Sequence, residues 1–133
     1  MPAKALLHAA LRAAVLATLA CVAALAHADD DDVTWDAKGA ASRHAIVAPG
    51  KLVEWCSPLR RGEKVQWQFE AAAALDFNIH YHEGKQVQFP AQQDAVAKAQ
   101  ATLDPPVDHD YCWMWTNKAS TPVALTATLA KAP

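Results

Sequence analysis

Several features common in working proteins are missing from this 133-residue chain, and each absence narrows what it does. No apolar run reaches the roughly 20 residues needed to cross a bilayer as a helix. The unbroken stretch after Arg12 is about 14 residues. Basic residues are not in excess, with 12 Lys and Arg against 14 Asp and Glu. A nucleic-acid partner, which leaves a basic footprint, is therefore not indicated. The glycines gather into neither a phosphate-cradling loop nor a dinucleotide motif, and no Gly-x-Ser-x-Gly elbow exists. Asp76, Glu83 and Asp108 are the carboxylates from which a glycosidase-like pair would have to come, and nothing in the sequence selects them. An enzymatic role has no support.

What is present begins with an export signal. Lys4 and Arg12 flank the start of an apolar run, Leu11 to Leu25, which closes on Ala26-His27-Ala28. This is the charged region, apolar region and small-x-small cleavage site of a secretory signal peptide, read over residues 1–28. No transmembrane segment is expected after cleavage, and the expected address is the periplasm. Taking 28 residues from 133 leaves 105, enough for one domain. Lys4 and Arg12 leave with the signal, so 10 basic residues face 14 acidic ones, a net of −4. Asp29 to Asp32 open an acidic leader, expected to be flexible over 29–42, before a single domain over 43–133. The four acids are consecutive and lack the interleaved spacing and glycine of a calcium loop.

Cysteine is scarce, with three in all. Cys21 lies within the apolar run and departs with it, and Thr18 stands where a lipoprotein signal would have Leu. Cys56 and Cys112 remain, an even pair in an oxidising compartment. They read as one disulfide; the alternative is a pair of thiolate metal ligands.

The mature chain reads as strands separated by turns. Ala45 to Val47 ends at Pro49-Gly50, and Lys51 to Ser57 ends at Pro58 and the Arg60-Arg61-Gly62 turn. Lys64 to Ala71 puts Val65, Trp67 and Phe69 on one face; Leu75 to His82 does the same with Leu75, Phe77, Ile79 and Tyr81. After Glu83-Gly84-Lys85, Gln86 to Phe89 returns as a short strand. Tyr111 to Thr116 is rich in aromatics, and Val123 to Leu129 alternates as a closing strand. The pattern predicts an all-β protein, an antiparallel β-sandwich. Ala91 to Leu103 is open between helix and strand, because Ala95, Val96, Ala99 and Leu103 would also line one side of a helix.

Two constellations carry candidate chemistry. His80 and His82 are two apart on a strand and share a face, with Phe77, Ile79 and Tyr81 claiming the core side. The pair is expected to face outward with Asn78 and to chelate a metal ion. Met114 is the expected third ligand and His109 a further one. A His/His/Met set suits copper. The competing constellation is aromatic. Five Trp are many for so small a domain, and most must be core. Trp113 and Trp115, with Asn78, would then form an exposed platform for a protein or glycan partner, with no metal.

The second half also resembles a known family. Gly62-x-x-Val65-x-Trp67-x-Phe69, Leu75-Asp76-Phe77-Asn78-Ile79-x-Tyr81, Tyr111-Cys112-Trp113-x-Trp115-x-Asn117 and Val123-x-Leu125 are similar, in that order, to the GOLD (Golgi dynamics) β-sandwich. The resemblance covers about Lys51 to Leu129. It implies a GOLD-like, jelly-roll-like sandwich, a disulfide reaching the late strand through Cys112, and strand for part of Ala91 to Leu103. The chain is expected to lack the coiled coil, membrane anchor and cytosolic tail of the family's cargo receptors, so cargo selection is not implied.

Overall fold

In a computed structural model, which describes residues 29–133, the apolar–polar alternation becomes seven strands and no helix among the described residues. The segment read as a signal peptide lies outside the described residues. The strands are β1 (Asp29–Asp32), β2 (Ala40–Val47), β3 (Leu52–Leu59), β4 (Val65–Glu83), β5 (Gln86–Leu103), β6 (His109–Thr116) and β7 (Val123–Lys131). They form one curled sheet in the order β1-β3-β6-β4-β7-β2, with β5 on the other edge of β4. All pairings are antiparallel except β1 with β3.

The curl originates in β4. Lys64–Ala71 and Leu75–His82, expected as separate strands, form one strand of 19 residues. Its first half pairs with β7 and its second half with β6, and the register with β5 shifts between Glu70 and Leu75. The alanines Ala71 to Ala74 lie at that shift and offer no bulk to resist a bend. Phe69 and Phe77 of the same strand consequently meet with ring centroids 4.8 Å apart. The strand folds over its own core, and the sheet becomes two facing halves.

Between the halves lie Trp55, Trp67, Trp113, Trp115, Tyr81 and Tyr111, all buried, with the alternating aliphatic residues of β3, β4 and β7. Trp115 stands edge-on to Phe69 at 5.7 Å, a favoured aromatic geometry. Arg43 of β2 spans the seam between the sheet's two ends, donating to the Glu54 carbonyl and pairing with Asp31 at 2.6 Å.

Two sequence readings change. Ala91–Leu103 is strand, the later part of β5, because the free edge of β4 takes up its backbone along most of its length. The helical spacing is broken at Ala95, whose φ of 51° is left-handed and whose N–H donates to Asp76 Oδ1 at 2.9 Å. The 29–42 leader carries β1 and the start of β2, since the aspartate backbone can pair with β3 while Asp31 and Asp32 stay in solvent.

Candidate functional site

One half of the sheet, β3-β6-β4-β5, turns a mixed face outward. Alternation commits Val53, Trp55, Ser57 and Leu59, then Tyr111, Trp113 and Trp115, then Phe77, Ile79 and Tyr81 to the core side. Glu54, Cys56, Cys112, Met114, Asn78, His80 and His82 are thereby set on the outer side. Register aligns them in rungs: Cys56–Cys112–His80 in one, Glu54–Met114–Asn78 in the next. Cys56 and Cys112 are directly opposite each other and form the expected disulfide.

His80 faces outward as expected but is not exposed, retaining only 5% of its surface. It is covered by its own neighbours. Its Nδ1 lies 2.8 Å from Asn78 Oδ1, its Nε2 is 3.3 Å from Glu54 Oε1, and its ring lies 6.1 Å from Phe89 and 5.2 Å from His82. An amide oxygen only accepts, so Nδ1 carries a proton and donates. Burial first, and then the charge of His82, push the His80 pKa below the ordinary histidine value.

Of the expected copper ligands, His80 and His82 lie side by side with ring centroids 5.2 Å apart, while His109 does not join them. Nδ1 of His80 is engaged by Asn78, while Nε2 faces the Glu54 carboxylate, a contact that becomes an ion pair only when the imidazole is protonated. Met114 is opposite Asn78, four residues along β4 from His82, or about 13 Å of strand. His109 belongs to the core-side parity of β6 and packs its ring 5.4 Å from Tyr81, on the other side of the sheet. Glu54, His80 and Cys112 do bring donor atoms within 4.8 Å of one another, but the Cys112 sulfur is bonded to Cys56.

The exposed platform also needs correction. Trp113 and Trp115 retain 0% and 1% of their surface, because their strand parity points them between the sheet halves. Asn78 is buried as the partner of His80. Among the described residues the exposed large apolar side chains are Ile46, Val107 and, two apart on β5, Val87 and Phe89, which keep 40% and 49% of their surface. Val87 is opposite His82, so this pair extends the outer face to the sheet edge. The sequence signal was the two-residue spacing of Val87 and Phe89 beside an outward His82. Glu54 could have been found by its parity with Cys56.

No candidate carboxylate pair assembles with Asp76. It lies within β4, seven residues along the strand from Glu83, bound to Lys118 and the Ala95 N–H, and both contacts hold its pKa below the usual value.

No family model and no curated protein matches the chain. Among solved structures it is similar to PliG of Aeromonas hydrophila, a periplasmic lysozyme inhibitor of g-type lysozyme. The TM-score is 0.57 at 14% identity, covering 78% of this chain and 96% of that one. It is also similar to PliG of Salmonella Typhimurium, likewise a periplasmic inhibitor of g-type lysozyme. There the TM-score is 0.56 at 7% identity, covering 80% of this chain and all of the other. At these identities the likeness is one of fold.

Proposed function

We propose that the protein is an exported, non-enzymatic module that binds another protein in the periplasm, with a lysozyme-class enzyme as partner. The observation that carries this is the exposed Val87–Phe89 surface on the β4–β5 hairpin, beside His82. An exposed aromatic with an aliphatic neighbour, on a backbone fixed by a strand partner, is the kind of anchor that dominates protein interfaces. The fold shared with two periplasmic lysozyme inhibitors supports the partner class and the address. So does the reading of residues 1–28 as an export signal. A glycan partner is less well supported, because the indoles that would stack on a sugar ring are in the core. The metal reading lacks a converging donor set.

The test is calorimetric binding and inhibition of a g-type lysozyme, with a c-type enzyme as comparison. Phe89→Ala should weaken binding by at least about tenfold, about 1.4 kcal/mol. As a half-exposed position it should change stability by no more than about 0.5 kcal/mol. If the parent binds neither enzyme, the proposed partner class is wrong. If Phe89→Ala binds as tightly as the parent, the hairpin is not the contact surface.

A further inference from the structure

At the end of the sheet where Leu59 is opposite His109 and β4 runs out toward Glu83, residues 60–64 turn from one half into the other. This β3–β4 turn is held at every backbone step. Arg60 N donates to Glu63 Oε2 at 3.0 Å, Arg61 N to Asp108 Oδ1 at 2.7 Å, Gly62 N to Pro105 O at 2.9 Å and Glu63 N to Arg60 O at 3.0 Å. Gly62 supplies the left-handed φ of 75° that the turn requires. Glu63 is fixed in turn by Lys131 Nζ at 2.7 Å, and the facing loop by Tyr111 Oη donating to Val107 O at 2.8 Å.

Two of the three acids lining this end shape the turn; the third, Asp110, is exposed. Asp108 holds a backbone N–H, and Glu63 holds another together with the Lys131 ammonium. Among the described residues neither the Arg60 nor the Arg61 guanidinium is in ion-pair contact with a carboxylate, although the Arg60 charge helps to lower the Glu63 pKa, and both residues are exposed. Both line a groove of about 1000 Å³ that continues to Asp108, His109 and Asp110. The backbone that carries these two adjacent guanidinium groups is ordered before binding, which leaves their side-chain rotamers as the ordering cost.

We propose that this turn, with Arg61 foremost, is the element that engages carboxylates in the cleft of the partner enzyme. Glycoside hydrolases work through acidic side chains flanking the scissile bond, so a protein that blocks such a cleft meets carboxylates. The guanidinium fork matches a carboxylate with two parallel hydrogen bonds. The Val87–Phe89 surface belongs to the hairpin at this same end, since His80 is level with Cys112 and β4 continues from there toward Glu83. One partner can therefore touch both. The inference rests on the reading of the partner as a lysozyme-class enzyme.

The experiment measures binding to g-type lysozyme by the parent, Arg61→Ala, Arg61→Lys, Arg60→Ala and Phe89→Ala, with thermal melts of each. Arg61→Ala should raise Kd on the order of 30-fold with an unchanged melt. Arg61→Lys should recover only part of the loss, because an ammonium cannot make the two parallel bonds. Parent affinity should fall between about 50 and about 300 mM salt, and that of Arg61→Ala should fall less. If the parent and Phe89→Ala differ while both arginine-to-alanine variants bind as the parent does, the turn is not in the interface and this inference alone is overturned. A parent that binds no lysozyme overturns both this inference and the proposed partner.

Discussion

Removing the Cys56–Cys112 bridge, by reduction or by replacing both residues with alanine, tests how the sandwich resists unfolding. The cysteines are 56 residues apart in sequence and directly paired in the β3–β6 ladder. The ladder already holds the two strands together in the native state, so the bond acts chiefly on the unfolded chain. For a closed loop of that length the chain-entropy relation gives about 14 cal/mol/K, or about 4 kcal/mol at 25 °C. Domains of this size have about 5–15 kcal/mol in total, so the loss is a large share. Each kcal/mol moves Tm by about 4–8 °C, which places the fall at roughly 15–30 °C. Calorimetry with and without reductant measures it. The reduced protein should also show a larger urea m-value, because its unfolded chain exposes more surface. Alkylation of the folded protein without reductant should label neither cysteine. A fall of under about 3 °C after complete reduction would refute the loop-entropy reasoning.

The His80 pKa lies below its unfolded value of about 6.5, so the unfolded state binds the extra proton as pH falls. Stability should be intact above that pH and decline below it, at up to about 1.4 kcal/mol per pH unit; His80→Gln should flatten the decline in urea melts, and equal declines would place its origin elsewhere. Trp115→Ala should cost about 3–5 kcal/mol in a denaturant melt, because the indole is enclosed between Phe69 and Phe77. A loss below about 1 kcal/mol would mean the core closes over the gap. Met114→Leu should leave Cu(I) and Cu(II) titrations unchanged, since Met114 is aligned with Asn78 rather than with His82. Selective loss of Cu(I) binding would restore the metal reading.

Much of the outer face was legible because strand parity is a local property. Once Phe77, Ile79 and Tyr81 were assigned to the core, Asn78, His80 and His82 had to face the other way. Parity says nothing about what covers a residue, however. His80 is buried by Glu54 from β3 and Phe89 from β5, neither of which is near it in β4. The same gap misplaced Trp113 and Trp115 as a platform. Their alternation marks one face, and only the folding of β4 over itself turns that face into the middle of the core.

The sequence by itself determined the all-β class, the core parity of the main strands, and the outward side of His80 and His82. Each follows from alternation along a single segment, read against turn residues. The pairing of Cys56 with Cys112 followed from an even cysteine count and an oxidising address. Tertiary structure decided that the whole of Ala91–Leu103, left open by its pattern and strand in part by the family resemblance, is strand, since a weakly amphipathic Ala- and Gln-rich segment takes the conformation whose hydrogen bonds its neighbour leaves open. It decided, too, that β4 is one bent strand serving both halves, because a run of alanines permits a bend without specifying it. Finally, it decided which polar residues remain available to a partner. Asn78 and His80 of β4 are hydrogen-bonded to each other and covered by Glu54 of β3, while the guanidinium groups of Arg60 and Arg61 stay exposed on a turn whose backbone is held by distant residues.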